Sequence, residues 1–273
     1  MADAMTLGLI ILFAVAVWAG IQNALAGGGT FLTLPALMLT NMTALAANIT
    51  STIALFPGQV TSSFEGREHV AGAGGLTFRT LFVISLVGGI VGAILLLVTP
   101  SSIFSHMVPW LVLFATSVFA YGSFVPRKAD HPPVLGKAGA GIVQFCISIS
   151  GGYFGGGIGF LMLAALTAAG LEIRNASATK NVLAGVMNAS AVALFVFSPQ
   201  VHWLQAGVAC VGAVIGGWIG GRLVSRVNQK ILRAAAVAIG IALTIGLFIR
   251  APERFSFCLS CDRMASAIQG ACP

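Results

Sequence analysis

Two glycine-rich runs in this sequence are well suited to hold a ligand. Residues 27–29 and residues 155–157 are all glycine, and each run is followed by a short apolar stretch. The N-terminus of a helix has free N–H groups and the positive end of the helix dipole, so it binds anions without a formal charge. We therefore predict an anion site at these breaks, with close helix packing through small residues as the alternative. The site residues predicted here are Gly27, Gly28, Gly29, Thr30, Gly156 and Gly157.

A second group of polar residues lies on the long helical stretch that comes after each short one. Unpaired polar groups are costly in a bilayer, so such residues usually face the interior of a helix bundle. There they contact a substrate or join helices by hydrogen bonds, and the sequence leaves both roles open. The site residues predicted in this group are Asn48, Thr50, Gln59, Asn175, Thr179, Lys180, Asn181 and Asn188.

Lys180 is the most informative member of this group. It lies 180 − 174 = 6 residues beyond Arg174, and therefore roughly 9 Å into its predicted helix. From this depth the side chain either reaches back to the cytoplasmic surface or supplies the only formal positive charge in the cavity.

Acidic residues are absent from every predicted span. A cation transporter or a proton pump normally needs a carboxylate inside the membrane, so the sequence favours an anion as the substrate. A substrate that carries its own proton, or simple uniport, would need no buried titratable group. The spans also lack a His, Asp and Glu constellation that could do chemistry. We therefore predict no enzymatic activity, no metal and no cofactor.

The composition indicates an integral membrane protein. Apolar residues make up 58% of the 273 residues and charged residues only 8%, which is far too few charges to cover a water-soluble surface. The net charge of +7 might suggest nucleic acid, but the basic residues lie between long apolar runs. In that position they set the orientation of the chain in the membrane, so we exclude nucleic acid as a partner.

The apolar runs predict an all-α fold with about ten transmembrane segments. Eight runs are long enough to cross, at about 5–25, 43–64, 77–98, 103–125, 136–156, 175–198, 203–222 and 229–250. Two shorter pieces, at about 28–41 and 158–170, form thin crossing helices or re-entrant hairpins. Ten crossings collect the basic loops on one face, whereas eight scatter them over both. Ten crossings also place both termini on the outer, periplasmic side.

An internal repeat supports this count. The segment from Thr30 to Pro35 aligns with the segment from Gly159 to Ala164, each after a glycine-rich run. The same shift, 159 − 30 = 129, relates Thr50 to Thr179 and Gln59 to Asn188. Five crossings in each copy would invert the second copy relative to the first, as in many secondary transporters. The predicted units are a first repeat at 1–126, a second repeat at 127–250 and a polar tail at 251–273.

These motifs resemble those of the TauE/SafE sulfite exporter family, also called the toluene sulfonate uptake permease family. The resemblance rests on residues 26–37, which read AGGGTFLTLPAL, on residues 154–160, which read FGGGIGF, and on residues 178–181, which read ATKN. It implies a secondary transporter for sulfite, thiosulfate, sulfonates or related organic anions in a bacterial inner membrane. The sequence departs from strict repetition at Ala164, which stands where the first copy has Pro35.

The main alternative is an anion channel or uniporter for small carboxylates or inorganic anions, because the same glycine breaks could line a continuous pore. The predicted partners are a small anionic substrate and the lipid bilayer, and a homodimer is left open.

Overall fold

The computed structural model describes residues 2–25, 28–64, 67–124, 135–155 and 158–223, together with 237–238, 241–242 and 244–245. Most of the predicted span at 229–250 and all of the tail at 251–273 lie outside these residues. Within the described part the chain is helical, without a strand that belongs to a sheet. Its helices are α1 (Ala2–Leu25), α2 (Thr30–Met38), α3 (Ala44–Phe64), α4 (Phe78–Val98), α5 (Ser101–Phe124), α6 (Lys137–Tyr153), α7 (Ile158–Ala168), α8 (Ile173–Phe195) and α9 (Trp203–Leu223).

The helix boundaries follow from local sequence signals. Helix α4, for example, begins after Thr77, whose Oγ1 accepts a hydrogen bond from the N–H of Thr80 at 3.3 Å. This N-cap satisfies one of the four N–H groups that the first turn leaves without a helical partner. The helix ends at Val98, directly before Thr99 and Pro100, because the residue before a proline is biased away from helical geometry.

Three helices of the described part are long and apolar enough to cross a membrane, and their spans are Met5–Ala24, Phe78–Val98 and Trp203–Gly220. Large apolar side chains such as Ile10, Val83 and Trp218 point outward from them. The polar residues of the long helices are instead concentrated on α3 and α8. The described part of the chain is thus all-helical, and it has the outward apolar faces of a membrane protein.

The two short helices begin directly after the glycine-rich runs, as predicted. Helix α2 has 9 residues and α7 has 11, so they are about 14 Å and 17 Å long. Each helix is therefore only about half as long as the roughly 30 Å hydrocarbon core is thick. A crossing at either place would need the non-helical residues on both sides of the short helix. The count of ten crossings stays a prediction.

The two halves of the chain exchange their packing partners. Helix α1 of the first half packs most extensively against α9 of the second, and α6 of the second half packs in the same way against α4 of the first. The equivalent pairs α3 with α9 and α8 with α4 also repeat each other. The two halves therefore interlock, and neither packs as a separate unit.

Glycines make the exchanged helix pairs possible, as their four-residue spacing indicates. Gly212 and Gly216 of α9 lie against the backbone of Phe13, Val17 and Ile21 in α1. The second pair repeats this seam, since Gly88 and Gly92 of α4 lie against the backbone of Phe145, Ile149 and Tyr153 in α6. The glycines are 212 − 88 = 124 and 216 − 92 = 124 residues apart. Close backbone approach through small residues is a common means of helix association in membranes.

Helices α3 and α8 contact each other directly and run in opposite directions. Ser63, near the end of α3, donates a hydrogen bond to the carbonyl of Asn181, near the start of α8, at 2.9 Å. Further back along α3, Gln59 bonds to Asn188. Thr50, near the start of α3, accepts a hydrogen bond from the N–H of His202, beyond the end of α8, at 3.3 Å. Residues closer to the start of α3 therefore bond to residues later in the second half of the chain, so the two helices are antiparallel.

Candidate functional site

A small cavity of about 30 Å³ lies between α3 and α8, at the starts of the two short helices. The described residues that line it are Asn23, Gly28, Thr30, Thr52, Leu55, Gln59, Gly155, Ile158, Gly159, Lys180, Asn181, Ala184 and Asn188. Both halves of the chain thus contribute to one partly enclosed polar site.

The walls on α3 and α8 are built from equivalent positions of the repeat. Thr52, Leu55 and Gln59 line the cavity from α3, and their spacing of three and four residues places them on one helix face. The α8 residues have the same spacing and the same shift, since 181 − 52, 184 − 55 and 188 − 59 all equal 129. They are Asn181, Ala184 and Asn188. The two walls of the cavity therefore consist of positions that the same sequence shift relates to each other.

The glycine breaks reach the cavity from both halves. Gly28 and Gly155 have φ angles of +88° and +71°, in the left-handed region that favours glycine, and both line the cavity. A Cβ atom at Gly155 would lie 3.6 Å from Thr30 Oγ1 and 3.9 Å from Thr52 Oγ1. Two hydroxyl groups of the first half therefore lie beside the break of the second half. The predicted site residues Gly27, Gly156 and Gly157 lie outside the described residues.

Lys180 supplies the charge of the site. It lines the cavity and is only 4% exposed, so its side chain is enclosed and does not extend along a surface. Among the described lining residues it alone has a formally charged side chain, and none of them is Asp or Glu. An enclosed ammonium group beside hydroxyls and amides attracts an anion strongly, because little water is present to screen the charge.

An amide pair joins the two walls of the cavity. Asn188 Nδ2 donates a hydrogen bond to Gln59 Oε1, and this bond joins α8 to α3 at two equivalent positions of the repeat. The other amide atom, Asn188 Oδ1, is buried and accepts no hydrogen bond within the structure. A buried carbonyl without a donor is unusual and calls for an explanation.

Of the remaining predicted site residues, Gly29, Asn48, Thr50, Asn175 and Thr179 are not among those that line the cavity. Asn48 Nδ2 donates to the carbonyl of Tyr153 at 3.0 Å, just before the second glycine run. Thr179 Oγ1 accepts from the N–H of Ala71 at 3.0 Å, and Thr50 accepts from His202. Gly29 packs closely on α1, since a Cβ there would lie 2.7 Å from the Ala19 carbonyl.

Thr52 is the polar lining residue of α3 that the sequence reasoning missed. Its Oγ1 donates to the carbonyl of Asn48 at 2.9 Å, one turn earlier in the helix. The signal was present in the repeat, because the shift of 129 relates Thr52 to the predicted site residue Asn181.

A second, open groove of about 540 Å³ lies further along α3 toward its N-terminus. Leu45 and Ile49 form part of it, with residues 97–101 at the junction of α4 and α5 and residues 197–200 after α8. Its described lining residues include no charged side chain. Ile49 is three residues from Thr52, so groove and cavity occupy successive turns of the same helix.

The sequence model of the sulfite exporter TauE/SafE family matches residues 12–247. Because this match covers most of the chain, the protein belongs to that family, and it is a multi-pass membrane transporter. Membership of a transporter family implies that it is not an enzyme.

Several bacterial proteins are similar to this chain over most of their length. A probable membrane transporter protein of Haemophilus influenzae is 29% identical over 76% of this chain and 82% of its own length. The probable membrane transporter protein YfcA of Escherichia coli K12 is 28% identical over 76% and 77%. The probable membrane transporter protein ORF9 of Sinorhizobium sp is 29% identical over 88% and 92%. No solved structure matches the chain.

Proposed function

We propose that this protein is a secondary transporter that moves small sulfur-containing anions, such as sulfite, thiosulfate or a small sulfonate, across the bacterial inner membrane. The substrate binds in the cavity between α3 and α8. The observation that carries the proposal is the enclosed Lys180, which lies among hydroxyl and amide groups without a carboxylate in the described wall. This charge attracts an anion and repels a cation.

The packing of the equivalent helices supports an inverted repeat. Helices related by an axis along the membrane normal would run parallel, whereas an axis in the membrane plane makes them antiparallel. Helices α3 and α8 are antiparallel and contact each other at equivalent positions, Gln59 and Asn188. A site on such an axis is a common feature of secondary transporters, in which one repeat moves against the other around the bound substrate. The proposed topology has ten crossings and both termini in the periplasm.

The narrow, partly enclosed cavity favours a carrier over a channel. Hydrogen bonds flank the cavity on both sides, between Thr50 and His202 on one side and between Ser63 and Asn181 on the other. A channel would instead need a continuous water-filled path through these contacts. The open groove beside Ile49 is the proposed route from the outer face.

The proposal is tested by uptake into proteoliposomes that contain the full chain. The panel is sulfite, thiosulfate, methanesulfonate, acetate and chloride. We expect saturable uptake of the sulfur anions, accelerated by the same anion trapped inside, and strong loss of uptake in Lys180→Met. The matched control is Lys137→Met, because Lys137 is exposed at the start of α6 and does not line the cavity.

Two outcomes would contradict the proposal. Equal uptake by Lys180→Met and the wild type would remove the cavity as the binding site. Single-channel currents in planar bilayers would replace the carrier with a channel.

A further inference from the structure

The wall of the cavity contains an acceptor that the protein leaves unused. Asn188 lines the cavity and its Nδ2 is engaged with Gln59, yet its Oδ1 is buried without a donor. A buried acceptor that lacks a donor loses its hydrogen bonds to water and gains none in return. A ligand with a donor hydrogen would restore the missing bond. An anion without a donor would leave the acceptor unpaired.

We infer that the substrate is a small monoanion that carries its own O–H or N–H donor. In this arrangement the negative oxygens lie toward Lys180, and the donor hydrogen binds to Asn188 Oδ1. The inference rests on the proposed function and narrows it to one protonation class. Hydrogen sulfite belongs to this class, whereas fully deprotonated sulfite does not.

The charge of the site agrees with a monoanion. Lys180 contributes one positive charge, and the other described lining residues are uncharged. A dianion in this enclosed space would retain one uncompensated negative charge, and burying such a charge is very costly. One proton on the substrate removes that excess. The proton then crosses together with the anion, so transport requires no carboxylate within the spans.

A rotation of the amide groups would give the opposite selectivity. If both the Asn188 and the Gln59 amides turned by half a revolution, their mutual bond would survive and Asn188 Nδ2 would become the unused group. That group is a donor, and it would suit an anion with acceptors only. The two arrangements therefore make opposite predictions for a pair of anions that differ only in a donor.

Sulfamate and methanesulfonate form such a pair. Both are monoanions at neutral pH with a similar size and the same three oxygens, but sulfamate has an amino group where methanesulfonate has a methyl group. The experiment measures the binding of each anion to the purified full chain in detergent by isothermal titration calorimetry. We expect sulfamate to bind about fivefold more tightly, which is the effect of one net hydrogen bond.

Two variants test whether Asn188 causes this preference. Asn188→Leu removes the acceptor and should bring the two affinities together. Gln59→Met removes the partner of Nδ2 but leaves Oδ1 in place, so the preference for sulfamate should persist. A preference that persists in Asn188→Leu would overturn the inference, since another group would then recognise the donor.

The wild-type measurement alone also decides the question if the Asn188 variant does not fold. Equal affinities, or tighter binding of methanesulfonate, would overturn the inference and leave the proposed anion site intact. If neither anion binds, the proposed function fails, and the inference fails with it.

Discussion

The helices α3 and α8 occupy equivalent places in the two halves, yet they differ in charge at one position. Ser51 and Lys180 are separated by the repeat shift, 180 − 51 = 129. Ser51 is fully buried and shares a hydrogen bond with Thr33 Oγ1 of α2. The residue equivalent to Thr33 in the second half is Met162, since 162 − 33 = 129, and it cannot form that bond. At this position the side chain of the first half therefore bonds within that half, whereas the side chain of the second half places an ammonium group at the cavity.

This difference shows that the repeat accounts for the position of the cavity but not for its charge. Equivalent positions on α3 and α8 fix where the cavity lies, because each wall is the counterpart of the other. A perfectly repeated site would carry either two lysines or none. Two ammonium groups would repel each other in a small cavity, and none would attract an anion less strongly. The preference for a negatively charged substrate therefore depends on residue 180, at which the two halves differ.

The largest effect on substrate affinity is expected when Lys180 is replaced by the residue that the first half has at the equivalent position. Lys180→Ser gives α8 the residue that α3 already has and deletes a charge-assisted hydrogen bond to the substrate. We expect the affinity for sulfamate to fall about 10- to 100-fold, as calorimetry on the purified chain can measure. Ser51→Ala is the matched change in the first half and should leave the affinity nearly unchanged, because Ser51 does not line the cavity. Equal losses in the two variants would show that the halves share the binding task.

Substitution of the packing glycines should lower stability to a similar extent in both halves, whereas substitution of equivalent site residues should affect binding differently in the two halves. Gly216→Ala places a Cβ against the Val17 carbonyl, and Gly92→Ala places one against the Ile149 carbonyl. We expect each to lower the free energy of unfolding by about 1–3 kcal/mol, because two helix backbones must move apart. Thermal unfolding in detergent, followed by circular dichroism, measures the effect.

Gly207→Ala is the control for these two variants, since a Cβ at Gly207 meets no atom within 4 Å. Alanine favours the helix, so this variant should be unchanged or more stable by up to about 1 kcal/mol. If Gly207→Ala were as damaging as Gly216→Ala, close backbone approach would not be the reason for the glycines.

The sequence predicted the helices well because their limits are set locally. Apolar runs at 43–64, 77–98 and 203–222 correspond to Ala44–Phe64, Phe78–Val98 and Trp203–Leu223. Glycine, proline and capping residues mark these ends within a few positions of the sequence. The exchange of α1 and α6 between the halves was not predicted. It depends on contacts between residues far apart in sequence, such as Val17 and Gly216.

The site was predicted in part for the same reason. Lys180, Asn181, Gln59 and Asn188 stand out as polar residues in apolar surroundings, and all four line the cavity. The same criterion also selected Asn48, Thr50 and Thr179, which bond to backbone groups of neighbouring segments. Polarity shows that a residue needs a partner in the membrane, but only the fold decides between a substrate and another helix.

The smallest effect on substrate affinity is expected at the two equivalent threonines, Thr50 and Thr179. Their variants test whether a buried polar residue binds the substrate or another segment of the protein. Thr50 and Thr179 are both fully buried. Thr50 of α3 accepts a hydrogen bond from the N–H of His202, beyond the end of α8, and Thr179 of α8 accepts one from the N–H of Ala71, beyond the end of α3. Valine keeps the shape and removes the hydroxyl, which leaves the N–H of His202 or Ala71 unpaired. We expect each variant to lose about 1 kcal/mol of stability, with a change in sulfamate affinity well below that of Lys180→Ser. If Thr179→Val instead weakened binding as much as Lys180→Ser, then the substrate would reach Thr179. The binding site would in that case extend along α8 beyond the cavity, toward Ala71.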